Sequence, residues 1–364
     1  MKNNNSIKVD PFTRTPGVAG NAFIDMHYTD EIVEAFTNEN SYKYIYRIVG
    51  IRGCGKTVVY GKTLKRMQKE KNWIICPLSA AGDPTKTLIA KLAKEKLIKN
   101  KSIQTYIEAN VDGEANVGAL KGNVSFSASR TSNNNIIIES EEAILDEIII
   151  KAKEKKKKIL VGIDDISKTK EVVKFLSIIG KYFLEEKSSI YLLCTGLSKN
   201  IEDFSKEQNL TFFKRSNTIE IGPLNKYEIA EKYIELLNVS KDKAIELAKL
   251  VKGYAYAYQV LGSLYFSKTK ESEDKIIRQF ENILFKDSYD LIWKSLSTSE
   301  KEFIKTILNT SGERKIIIEK MSNKQNYSVL RGRLIKKHIV NVNERGLLTI
   351  DLPRFKEYVT RWCE

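Results

Sequence analysis

Gly50-Ile51-Arg52-Gly53-Cys54-Gly55-Lys56-Thr57 fits the pattern GxxxxGK[ST], and its flanks decide how it is read. Residues 44–49 (YIYRIV) form a short run rich in β-formers, and residues 56–71 suit a helix. Strand, glycine loop, helix is the order a phosphate cradle requires. Glycines let the backbone wrap closely around phosphate oxygens, while loop amides and the helix amino terminus offer partial positive charge. In such a cradle Lys56 reaches the outer phosphates and the Thr57 hydroxyl ligates Mg2+. The expected ligand is therefore ATP with Mg2+, held by Gly50, Gly53, Cys54, Gly55, Lys56, Thr57 and Val58. The bland alternative is an ordinary glycine turn between a strand and a helix.

Working outward, three more apolar runs, 73–77 (WIICP), 159–163 (ILVGI) and 190–194 (IYLLC), are bounded by polar segments and suit buried parallel strands. The second ends in Asp164 and Asp165, as a Walker B strand does. Asp164 is the candidate to hold Mg2+, and Asp165 the candidate to orient and polarise the attacking water. Two acidic residues capping a turn would look the same. The third run leads to Thr195, a candidate sensor of the outer phosphate at its strand's carboxyl edge, with Ser198 as second choice. After residue 222 the pattern becomes helical, with apolar residues at helical spacing over 226–250 and 255–264.

Composition agrees with a soluble globular chain of more than one domain: 364 residues, 42% hydrophobic and 29% charged, with 6 Pro and 19 Gly. No apolar run reaches the roughly 18 residues of a membrane span, and the amino terminus lacks the apolar core of a signal peptide, so a cytoplasmic location is expected. Four scattered cysteines and two histidines indicate neither a disulfide framework nor a zinc site. No nuclease, protease or nucleotidyl-transfer constellation stands out. The net charge of +15 favours a polyanionic partner, although lysine-rich usage alone also produces it. The run 151–158 reads as the solvated end of a helix. Residues 110–135, rich in Gly, Ser and Asn, read as a projecting hairpin turning near Lys121 to Asn123, or as a loop.

The carboxyl-terminal part, 290–364, carries 15 Lys and Arg against 9 Asp and Glu, an excess of 6. A Ser/Thr-capped helical pattern at 295–309, a short second helix at 315–321, a third at 326–337 and two strands around Glu344-Arg345-Gly346 read as a winged helix-turn-helix. Arg331, Arg333, Lys336 and Lys337 on or beside the third helix, with Arg345 in the wing, are the candidate duplex-DNA contacts. Winged helices also bind protein, so a protein partner stays open.

With these motifs assembled, DPFTRTPGV (10–18), GIRGCGKT, ILVGIDDI, IEIGPLNKYEIAEKY and VKGYAYAYQVLG resemble the bacterial and archaeal AAA+ ATPases related to the origin-recognition-complex initiators, a group near the STAND ATPases. The likeness spans nearly the whole chain. It implies a base-covering role for the segment from Pro11 to Gly17. It also implies an arginine finger at Arg215, before a short strand and aimed at a neighbour's nucleotide, the alternative being a solvated or DNA-facing arginine beside Lys214. Gly253-Tyr254-Ala255 resembles the family's Gly-x-Pro lid motif with Ala in place of Pro, and brings no lid arginine. Where most relatives carry Glu, Asp165 is one methylene shorter, which implies slow hydrolysis.

The expected fold is α/β: a P-loop αβα core with a parallel sheet over 1–222, a helical lid over 223–289 and a winged helix over 290–364. The expected function is an ATP-dependent switch that self-associates in its ATP state and acts on DNA. The alternative is a STAND-like signalling or defence regulator whose winged helix binds protein.

Overall fold

The computed structural model describes residues 9–95 and 140–363, apart from 186, 187, 205, 269 and 270. The hairpin expected within 110–135 lies outside the described residues.

Five short runs rich in β-branched and other apolar residues form one parallel sheet: β1 (Ile45–Val49), β2 (Trp73–Leu78), β3 (Lys158–Ile163), β4 (Ile190–Gly196) and β5 (Asn217–Glu220). Their order across the sheet is β2-β3-β4-β1-β5. The strands β1 and β4 are buried at every position, as expected for strands covered on both faces. Register pairs Ile163 with Cys194 and Val49 with Gly196. The carboxyl end of β4 therefore lies between those of β3 and β1, so Thr195 falls between the Asp pair and the glycine loop. Open parallel sheets bind ligands at such an edge.

The helix after the glycine loop is Lys56–Met67, shorter than the expected 56–71. Tight turns, Lys69 N–H to the Arg66 carbonyl and Glu70 N–H to the Met67 carbonyl, end it and return the chain to β2. The stretch 226–250 is two helices, Lys226–Leu237 and Lys241–Val251, because Asn238 adopts a left-handed conformation (φ 53°) and the Ser240 hydroxyl caps the second. Next come Ala255–Ser267, Glu273–Leu284, a π-helical turn at Phe285–Tyr289 and Asp290–Lys294.

The carboxyl-terminal helices are Thr298–Leu308, Arg314–Lys320 and Tyr327–Lys336. A two-stranded antiparallel hairpin follows, β6 (Asn341–Val342) and β7 (Leu348–Thr349), and then a last helix, Phe355–Trp362, that periodicity did not single out. Ser297 and Glu300 close a capping box on the first of these helices.

Burial divides the described chain into two apolar clusters. One is the sheet with its flanking helices, running from Ile32 to Ile221. The other contains residues from Ile229 to Val359 and also takes in Phe12, Ala22 and Ile24 from the amino-terminal segment. The helices following β5 and the carboxyl-terminal elements thus share one continuous core. No helix among the described residues is long and apolar enough to cross a membrane.

Candidate nucleotide site

The two clusters meet at a cavity of about 530 Å³, within the range of small-molecule sites, at the carboxyl edge of the sheet. Its floor is the glycine loop: Arg52, Gly53, Cys54, Gly55, Lys56, Thr57 and Val58 all line it. Gly55 opens the following helix at φ 106°, and nothing lies within 4 Å of where a Cβ on it would sit, so the loop leaves room above its amides. The Lys56 ammonium donates to the carbonyls of Gly50 (3.0 Å) and Ile51 (2.9 Å). Those bonds lie within the loop itself, so an arriving phosphate competes for a cation already at its mouth. Burial pushes the Cys54 thiol up, which keeps it neutral beside that ammonium.

The metal-side residues converge as the topology requires. Thr57 Oγ1 lies 3.3 Å from Asp164 Oδ1, and the Thr195 hydroxyl also donates to that oxygen. The same Thr195 oxygen accepts the Asp165 N–H at 2.8 Å. Thr195 is 1% exposed, so it fixes both aspartates from beneath the cavity. Asp165 is exposed and adopts φ 50°, a left-handed conformation that Asp tolerates better than most residues. The second-choice sensor, Ser198, is instead hydrogen-bonded at 2.8 Å to His338, whose other ring nitrogen meets Glu220 at 2.9 Å.

The cavity roof comes from the second cluster. Tyr254 donates its hydroxyl to the Arg52 carbonyl at 2.7 Å and meets Ser288 Oγ at 2.7 Å, and the Tyr256 N–H donates to the Gly53 carbonyl at 3.0 Å. Gly53 (φ 78°) permits this approach, since a Cβ there would lie 2.4 Å from the Tyr254 hydroxyl oxygen. Asp287 and Ser288, from the π-helical turn, complete that wall.

The amino-terminal segment closes the remaining side, and here one expectation changes. Pro11 is buried outside the cavity, its carbonyl accepting the Ala22 N–H at 3.0 Å, because Phe12 beside it is packed among Tyr233 and Tyr258. The rest of the expected segment, Thr13–Gly17, does line the cavity, joined by Val18–Gly20 and Phe23–Met26, and the Thr13 N–H is anchored on Gln259 Oε1 at 2.9 Å. The two arginines lining the cavity are Arg14 and Arg52, and neither comes from the roof helix Ala255–Ser267.

These residues fit Mg2+ with a nucleoside triphosphate. The donors are hard oxygens, Thr57 and Asp164, a set suited to Mg2+ that keeps phosphate and water among its ligands. No three His, Cys, Asp or Glu side chains converge on a metal position among the described residues, so the ion would need the nucleotide's own oxygens.

Other candidates lie elsewhere. Arg215 is exposed just before β5, at the amino edge of the sheet and opposite the cavity. Arg331 is half-buried, Arg333 and Arg345 are exposed, and among the described residues no acidic side chain pairs with any of the three. Lys336 and Lys337 do not share that freedom. Lys336 reaches Glu202 at 3.0 Å, and Lys337 is in a buried ion pair with Glu300 at 2.7 Å (17% and 4% exposed). Arg14 falls within the base-covering segment named from the sequence, whereas Tyr256, Gln259, Asp287 and Ser288 line the cavity without having been singled out. Only the glycine and tyrosines at 253–256 offered a signal.

No family model matches the sequence, and neither does any curated protein. Solved structures match in fold. A Walker-type ATPase of Pyrococcus abyssi, 13% identical, superposes with a TM-score of 0.63 over 96% of this chain and 99% of its own. The Aeropyrum pernix ORC2 protein, in its ADPNP–ADP complexes, is 13% identical with a TM-score of 0.54 over 93% of each chain. The chain thus has the α/β P-loop fold of the archaeal ORC-like AAA+ ATPases.

Proposed function

We propose that this protein is an ATP-binding, ATP-hydrolysing switch whose nucleotide state governs its self-association and its contact with duplex DNA. The observation that carries the reading is the convergence of Lys56, Thr57, Asp164, Asp165 and Thr195 on one cavity roofed by a separate cluster. Lys56 and the loop amides bind the phosphates, Thr57 and Asp164 hold Mg2+, and Asp165 orients water. Mg2+ supplies charge neutralisation on the phosphate oxygens. Thr195 holds the Asp164 carboxylate and the backbone N–H of Asp165. The short reach of Asp165 makes turnover slow. Nucleotide-bound ORC2 of the same fold supports the ligand assignment.

A cavity built from both clusters responds to its ligand by changing how the clusters sit, which is the requirement for a switch. Arg215, remote from its own cavity, is free to serve a neighbouring copy's nucleotide. In the assigned organisation, 1–222 is the ATPase core, 223–289 the lid and 290–364 a winged helix. Arg331, Arg333 and Arg345 take duplex phosphates and base edges. Lys336, whose pair with Glu202 is solvent-exposed, stays in that set, whereas Lys337 is held in a buried pair with Glu300.

Binding of labelled duplex to the wild type and to Lys56→Ala, with ATP, with ADP and without nucleotide, at two salt concentrations, tests the reading. Nucleotide-dependent, salt-weakened binding lost in Lys56→Ala is expected. Absence of binding in every state would transfer the function to a protein-binding regulator.

A further inference from the structure

Arg47 is the middle residue of β1, in register with Cys194 on one side and Thr218 on the other. A charged side chain there contradicts the apolar run around it. It is 8% exposed, no carboxylate pairs with it among the described residues, and its Nε has no hydrogen-bond partner. Burial lowers its guanidinium pKa. A buried cation without a counter-ion is costly, and an apolar side chain of similar volume would avoid that cost.

The groups that offset the cost all belong to one short segment. Nη2 donates to the Ser216 carbonyl at 3.0 Å and to the Thr218 hydroxyl at 2.6 Å, and lies 3.5 Å from the Lys214 carbonyl. The guanidinium carbon sits 5.3 Å from the centre of the Phe213 ring. Arg47 thus holds the carbonyls immediately before and after Arg215, while the Arg215 N–H is held by the carbonyls of Thr211 and Phe212. The backbone of Arg215 is fixed from both sides, and its side chain projects from the surface.

We infer that Arg47 is a positioning residue: it fixes the turn from which Arg215 reaches the nucleotide bound by a second copy of this chain. The inference rests on the finger role given to Arg215 above. It makes the finger's geometry depend on a residue that touches neither nucleotide nor neighbour, on the same strand that delivers the glycine loop.

The test compares Arg47→Met, Arg47→Lys, Arg215→Ala and Lys56→Ala in nucleotide affinity and in phosphate release at protein concentrations where the wild type self-associates. Arg47→Met is expected to bind ATP as the wild type does while losing turnover at least about tenfold, as Arg215→Ala does. Arg47→Lys, which keeps a donor for one carbonyl, recovers part of it. Mixing supplies the readout that a merely structural role would not move. Lys56→Ala, with an intact finger and an empty site, is expected to restore turnover to Arg47→Met, whereas Arg215→Ala restores nothing. Should Arg47→Met not fold, Arg47→Lys carries the same mixing test.

Weakened ATP binding in the Arg47 variants, or no restoration by Lys56→Ala, overturns the inference. Normal turnover in Arg47→Met beside lost turnover in Arg215→Ala overturns it while sparing the finger. Normal turnover in Arg215→Ala overturns both.

Discussion

Single residues set the chemistry, and two of them do so through backbone conformation or burial rather than side-chain type. Asp165 sits at φ 50°, where a longer side chain without local hydrogen bonding costs about 1 kcal/mol, so the missing methylene relative to Glu matches its backbone. Asn tolerates the same region. Asp165→Asn is therefore expected to fold and bind ATP as the wild type does while phosphate release at saturating ATP falls at least about tenfold. Equal turnover would remove Asp165 from the reaction. Glu300 is the second case. Burial raises its pKa, but the Lys337 ammonium and the Ser297 N–H outweigh this and leave it below the ordinary 4.5. A carboxylate lowered in this way contributes stability that is complete above 4.5 and disappears as pH falls through its folded value. Glu300→Gln keeps the capping box and loses only the ion pair, so urea unfolding should show a deficit of about 3 kcal/mol at pH 7 that narrows below pH 4.5.

At the scale of elements, the docking of the helix Ala255–Ser267 on the glycine loop decides whether the cavity has a roof. Tyr254 ties the Arg52 carbonyl to Ser288, and Gly53 leaves it room. Tyr254→Phe removes the bridge but keeps the ring, and Gly53→Ala forces the ring away. ATP affinity measured by titration calorimetry is expected to fall modestly, by about 1 kcal/mol, in the first and more in the second. The reverse order would mean that the hydroxyl network matters more than the fit.

The strands and the loop were legible in the sequence because five-residue apolar runs and a glycine pattern are local signals. Tyr254 meeting Arg52, Phe12 meeting Tyr258 and Lys337 meeting Glu300 join residues distant along the chain, and no periodicity encodes them. Two flags were present without being decisive: the arginine within IYRIV and the buried acid at the capping box. Pro11 was misplaced for the same reason, since proximity in sequence to a lining segment does not say which residue faces inward.

For the whole molecule, the free cations and the engaged ones predict different things. With Arg331, Arg333 and Arg345 unpaired among the described residues, the slope of log affinity for duplex against log salt should decrease by about 0.9 for each one removed that meets a phosphate. Lys337→Ala should act through stability instead. An unchanged slope in all three arginine variants would place DNA elsewhere on the surface.

The shared core of the roof helices and the carboxyl-terminal elements has a mechanical consequence. Phe280, Phe285, Tyr289 and Tyr358 belong to one packed body, and Tyr289 adds a bond from its hydroxyl to the Pro353 carbonyl. Under the proposed switch the roof residue Tyr254 and the carboxyl-terminal helices would therefore move as one piece, and His338, bonded to Ser198 and Glu220 of the sheet cluster, would be where that piece swings against the rest.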